Sequence, residues 1–140
     1  MSDTETTRRI VEEYYAALGR GDRDRLLELL APDCHWAPPA SAPIEPVTGA
    51  EGIADALGRT VVKTMFDLKQ PFSLEIRRMV VEGPVAVVQQ RLTATAKATG
   101  LPYDNQYCWI YEVRDGRIVD IEEYADTVVA ARAMGWDASA

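Results

Sequence analysis

The sequence predicts an α+β fold: a curved antiparallel sheet, with N-terminal helices packed on its concave face to form a cone-shaped cavity. Three observations predict it. Helical periodicity dominates the first half of the chain and strand alternation the second, the order expected when helices cover one face of a sheet. Residues 103–126 read as a long hairpin around Arg114-Asp115-Gly116-Arg117, because Asp-Gly between alternating apolar runs is a strong hairpin signal. No repeat, low-complexity run or linker interrupts the 140 residues, so residues 1–140 are expected to form a single domain.

The elements follow in order. Residues 1–5 are polar and expected to fray. Thr6 or Thr7 caps a helix running to about Leu18, with Ile10, Val11, Tyr14, Tyr15 and Leu18 on one stripe. Gly19-Arg20-Gly21 stops it, and Asp22 caps a second helix over 23–30 that Pro32 ends. Cys34–Ala37 reads as a short strand. Four prolines between Pro38 and Thr48 make that segment a surface loop, either a plain connection or a flap over the cavity mouth. A third helix spans about 50–66, with Ile53, Leu57, Val61, Met65 and Phe66 on one side. Strands are expected over 72–82, 84–97 and the two arms of the hairpin, then a helical turn from Thr127 to Met134.

Composition limits the partners. The net charge of −7 argues against a nucleic-acid backbone or an anionic membrane, since both select for basic patches. No apolar run reaches ~20 residues, so no membrane span is expected. The N-terminus has no apolar signal region, and Cys34 and Cys108 read as free thiols on separate strands, which suits the cytoplasm. His35 is the only histidine. It has no acidic or thiol neighbour at ligand spacing, so neither a metal site nor a Ser–His or Cys–His catalytic set is expected.

Strand parity supplies the candidate site. Alternation puts Tyr103, Asn105, Tyr107, Trp109, Tyr111 and Val113 on one face of the first arm. On the second arm Val119, Ile121 and Glu123 share a face, so a carboxylate ends an apolar row. Glu123 pointing inward, desolvated by Ile121, Trp109 and Tyr14, gains the raised pKa a general base needs. A one-residue slip would put Glu122 there instead. Tyr14 offers a hydroxyl to a carbonyl or enolate oxygen, and Tyr107 and Asn105 offer hydrogen bonds to a polar part of a ligand.

The segment EEYYAALGRGDRDRLLELLAPDCHW, with the closing DGRIVDIEEYADT, resembles the nuclear transport factor 2-like superfamily over roughly 7–132. Within it the chain is similar to SnoaL-like and ketosteroid-isomerase-related proteins. The resemblance implies that fold, with Trp36 inward and His35 outward. Tyr14 matches the oxyanion-donating Tyr of the isomerases. Their general base falls on Pro38 here, and their second oxyanion donor on Trp109 or Cys108. Against the limonene-epoxide-hydrolase pattern, Arg91 and the last-strand acid Glu123 are kept, while Thr93 stands where an acid is expected. Arg91 is then expected on the inner face, within reach of Glu123.

Together these residues imply a cofactor-free isomerase or cyclase working by acid/base chemistry on a small, mostly apolar, oxygenated molecule of polyketide or steroid type. An epoxide hydrolase or dehydratase, and a non-catalytic binding or assembly module, are the alternatives. Glu123 and Tyr14 carry the chemistry, and Arg91, Trp36, Trp109, Tyr107, Asn105 and Ile121 hold the ligand. Val88, Gln90, Leu92, Ala94, Cys108, Ile110 and Tyr124 are expected on the outer sheet face, where an apolar patch predicts a homodimer.

Overall fold

The computed structural model describes residues 3–136. Helices α1 (Asp3–Arg20) and α2 (Arg23–Leu29) lead into strand β1 (Leu30–Ala37). After a proline-rich loop come a short β2 (Val47–Thr48) and a helix α3 (Ala50–Asp55). A π-helical turn (Ala56–Thr60) joins α3 to α4 (Val61–Met65). Strands β3 (Ser73–Glu82), β4 (Val85–Thr95), β5 (Pro102–Arg114) and β6 (Arg117–Ala125) follow, then α5 (Thr127–Met134).

The six strands form one sheet in the order β2-β1-β6-β5-β4-β3. Four consecutive antiparallel strands make its long part, as the turn signals predict. The strand β1 adds to β6 in parallel, so the sheet is mixed rather than wholly antiparallel. This strand also starts earlier than expected. Pro32 sits inside it, at a break in the β1–β6 register between Leu30 and His35, where no ladder N–H is needed.

The N-terminal residues are not frayed from Asp3 onward. Thr4 Oγ1 accepts a hydrogen bond from the Gly83 N–H at 2.9 Å, and Thr7 Oγ1 donates to the Gly83 carbonyl at 2.8 Å. These bonds tie the first turn of α1 to the β3–β4 turn, so Thr7 is buried within the helix rather than capping it. Met1 and Ser2 lie outside the described residues.

Helix α1 crosses the concave face and buries Val11, Tyr14 and Ala17 against the sheet. The α2 N-terminus is capped as expected, Asp22 Oδ1 accepting from Arg25 N at 3.1 Å. One core joins α1, α2, α3 and β1 to the inner faces of β4, β5 and β6 through Leu26, Leu29, Trp36, Ile53, Val88, Tyr111 and Ile121. A second cluster, around Phe66, Leu92, Tyr103, Ala130 and Met134, closes the other end under α5. Asp126 caps α5 by accepting from Val128 and Val129 N–H groups, and Gly135, at φ 71°, ends it.

The β5–β6 turn has positive φ at both central residues, 52° at Asp115 and 76° at Gly116. This is the type I′ geometry whose twist matches paired strands. Nothing lies within 4 Å of a Cβ placed on Gly116, so Gly116→Ala carries only the cost of left-handed backbone. It should lower unfolding free energy by about 1–2 kcal/mol with an unchanged urea slope. A change in slope would mean that the hairpin itself comes apart.

Candidate functional site

A cavity sits between the concave sheet face and the helices, with a volume of about 110 Å³. Its wall is largely apolar, and half-exposed Phe72 and Leu74 mark its mouth. The proline-rich loop adds Pro39, Ala42 and Ile44, so it is part of the wall. The helical segment on either side of the π turn contributes Leu57, Val61, Val62 and Met65. An engineered cavity of about 150 Å³ admits benzene, so a ring of that size is the natural scale for a ligand held near the floor.

Glu123 is the one carboxylate in this wall, and among the described lining residues no Arg or Lys faces it. Its β6 register sets it directly opposite Trp109 on β5, which fixes it inward. Glu122 pairs with Ile110 and takes the outer face, where it accepts a hydrogen bond from the Tyr124 hydroxyl. Trp36 Nε1 donates to Glu123 Oε1 at 3.1 Å. Burial pushes the Glu123 carboxyl up to about 7, and the Trp36 bond offsets only part of that rise.

Five tyrosines share the cavity with it, and their protons can be counted. The Tyr15 and Tyr111 hydroxyls are 2.6 Å apart, and those of Tyr103 and Tyr107 are 2.5 Å apart. Each pair owns two hydrogens and shares one in its bond. Whichever member donates, one hydroxyl hydrogen per pair is not used within the pair. Asn105 Nδ2 donates to Tyr103 Oη at 2.7 Å, which uses an acceptor site and no hydroxyl hydrogen. The Tyr14 hydroxyl has no hydrogen-bond partner among the described residues. Burial raises the pKa of all five, so each stays a neutral O–H donor at neutral pH. Tyr107, Trp109 and Tyr111 stack along β5 with centroids 6.2 and 6.3 Å apart, which holds the floor rigid.

The structure places the expected site residues unevenly. Glu123, Tyr14, Trp36, Tyr107 and Trp109 line the cavity together. Ile121 is buried in the core outside the cavity wall. Asn105 is buried behind Tyr103, bonded also to the Asp126 carbonyl, so it braces a wall residue rather than facing the cavity. Arg91 is not on the inner face. It points outward and grips Asp104 through two bonds, Nε–Oδ1 at 2.9 Å and Nη2–Oδ2 at 2.7 Å. It therefore has no contact with Glu123.

That reversal covers the whole of β4. Val88, Gln90, Leu92 and Ala94, expected outside, face the core, and the outer face keeps only Cys108, Ile110 and Tyr124 of the expected set. The signal was present in the sequence. Ala86, Val88, Leu92 and Ala94 form the apolar alternate row, while Val87, Gln89, Arg91 and Thr93 form the mixed one. Placing Arg91 inward, by likeness to the epoxide hydrolases, overrode that row and hid Gln90 as a wall residue. Tyr15 also escaped, because helical spacing shows which stripe is buried but not which part of it lines a void. His35 is outward as expected, its Nδ1 3.1 Å from Thr48 Oγ1.

The SnoaL-like domain model matches residues 11–121. The chain belongs to the SnoaL-like domain family. Glu123 lies just past the matched residues. A nuclear transport factor 2-like protein from Burkholderia xenovorans LB400 superposes with a TM-score of 0.79 at 27% identity, over 94% of this chain and 97% of that one. A candidate SnoaL-like polyketide cyclase from Jannaschia sp. CCS1 gives 0.79 at 18% identity, over 96% and 94%. An LEH-like epoxide hydrolase from M. tuberculosis gives 0.70 at 21% identity, over 94% and 90%. The last two show a shared fold alone. No curated protein matches the chain. Among the described residues, no helix is long and apolar enough to cross a membrane.

The raised carboxyl has a thermodynamic signature. With a folded pKa of about 7 against an ordinary 4.5, the folded state holds a proton between those values that the unfolded chain releases. This contribution to stability is full below the unfolded value and is lost as pH rises through 7, a decline of roughly 3 kcal/mol. Urea midpoints across pH 4–9 should show that decline, and Glu123→Gln should flatten it. Trp36→Phe removes the one donor that favours the carboxylate, so its decline should still begin near 4.5 but extend to higher pH.

Proposed function

We propose that this SnoaL-like chain is a cofactor-free isomerase or cyclase acting on a small, mostly apolar ketone. One observation carries the reading: a single carboxylate without a counter-charge, raised to about 7, shares an apolar cavity with an unpartnered phenol. A base with that pKa is half ionised at neutral pH and strong enough to accept a carbon-bound proton beside a carbonyl. Glu123 takes that proton, and the electron pair moves onto the carbonyl oxygen. Tyr14, or the spare hydroxyl of a tyrosine pair, donates to the developing enolate oxygen. Returning the proton to a different carbon completes an isomerisation. Attack of the enolate carbon on a second carbonyl instead closes a ring, and the resulting alkoxide takes the proton back from Glu123.

The epoxide-hydrolase alternative has less support, because Arg91 faces outward and the acid position of that pattern is Thr93. A binding module without chemistry would keep the cavity but would not need Glu123. Turnover of a panel of cyclic enones and epoxides separates these readings. Glu123→Gln is expected to lower turnover of an enone substrate by about 10²–10⁴-fold, and Tyr14→Phe by about 10²–10³-fold. Undiminished turnover in Glu123→Gln removes Glu123 as the base.

We further infer a cytoplasmic homodimer built on the outer sheet face. Val80, Val87 and Ile110 lie side by side across β3, β4 and β5, with Cys108 and Tyr124 beside them. Val80 is 55% and Tyr124 54% exposed, which favours their being covered. Sedimentation should give twice the 15.5 kDa chain mass, and Ile110→Glu should halve it. A wild-type monomer at micromolar concentration would contradict the dimer.

A further inference from the structure

Two polar side chains in the cavity wall are left unpaired by the protein. Gln90 on β4 is 3% exposed, and its Oε1 has no hydrogen-bond partner among the described residues. Trp109 on β5 is 8% exposed, and its Nε1 has none either. Both residues line the cavity, and the two unpaired atoms are themselves closed to solvent as the side chains stand. Unpaired buried polar atoms lower stability, and in a cavity wall they mark where a bound molecule makes its polar contacts.

The two are neighbours by register. Gln90 stands opposite Tyr107, and Val88 stands opposite Trp109, so Gln90 and Trp109 are diagonal partners on the inner face. Diagonal positions lie about 7–8 Å apart, within reach of long side chains around one shared atom. Their chemistry narrows what that atom is. The indole N–H only donates, whereas the carboxamide accepts at one end and donates at the other. A ligand carbonyl would satisfy Trp109 but would match Gln90 only if the carboxamide turned over. An ammonium would match Gln90 but not Trp109 and would bring a charge against an apolar wall. A hydroxyl accepts from Trp109 and donates to Gln90, and it still fits if the carboxamide turns over.

We propose that Gln90 and Trp109 form a polar subsite that recognises a hydroxyl group, as an alcohol, enol or phenol, on the bound molecule. The inference rests on the reading that the cavity takes a small oxygenated molecule, and it adds a second oxygen function to that molecule. Gln90 is two strands from Glu123, about 10 Å across the sheet. Trp109 stands between them, directly opposite Glu123, so the Gln90 end of the subsite is the end farther from the reacting carbonyl.

p-Cresol and p-xylene test this, because they have the same shape and differ by a hydroxyl for a methyl. Their dissociation constants are measured by NMR titration against wild type, Gln90→Leu and Trp109→Phe. In Gln90→Leu the preference should move at least tenfold toward p-xylene, with p-xylene affinity kept or improved. Trp109→Phe should move it in the same direction. The unfolding midpoint of Gln90→Leu should stay level or rise, since the change removes an unpaired buried amide. An unchanged preference in both variants overturns the subsite, as it would if water filled it. Equal weakening of both rings also overturns it, by assigning these side chains a packing role alone. If neither ring binds wild type, the cavity reading fails and the subsite fails with it.

Discussion

The site depends on one unbalanced charge. Glu123 is held in a largely apolar wall with a single indole N–H for company and no cation beside it. Desolvation of a carboxylate without a paired cation favours the protonated form, and that is why the group rises to about 7. An Arg in the same wall would have brought it down and made it an anchor. Arg91 lies on the opposite face of the sheet, where Asp104 neutralises it. The outward aim of that side chain thus leaves the carboxyl without a counter-charge.

The surroundings complete that logic. Burial keeps the five tyrosines neutral, and their pairing leaves hydrogens over rather than consuming them. The cavity therefore offers several donors, one titratable carboxylate and few other acceptors. Such a wall suits a molecule rich in oxygen acceptors and poor in charge. It also suits a transition state in which charge moves from Glu123 to a ligand oxygen, since preorganised donors then need no reorganisation. The stacked row Tyr107-Trp109-Tyr111 on β5 gives those donors a stiff base.

Much of this was legible in the sequence, for reasons that differ by element. The Asp115-Gly116 turn was legible as a hairpin, but the choice between Glu122 and Glu123 was not, because a one-residue register shift between Glu112 and Val113 is what sets Glu123 rather than Glu122 opposite Trp109. The Trp36 position followed from likeness to the SnoaL-like proteins, but its bond to Glu123 did not, because that bond depends on β1 joining β6 in parallel across 87 residues of sequence separation. On β4 the matched arginine and the apolar alternate row point to opposite faces, and the structure follows the row. Asn105 was read on the right face but not at the right depth, since parity says which side a residue takes and not what stands in front of it. The pairing of hydroxyls is likewise invisible to pattern, as it depends on ring positions brought together from α1 and β5.

The central claim is that Glu123 titrates near neutrality. Carboxyl ¹³C NMR of the side-chain-labelled protein, with Glu123→Gln to assign the resonance, measures this directly. Burial should put that midpoint near 7, moving upward in Trp36→Phe. A Glu123 midpoint near the ordinary 4.5 would mean that water or an unseen cation reaches the carboxylate, and the acid/base reading of this cavity would be wrong.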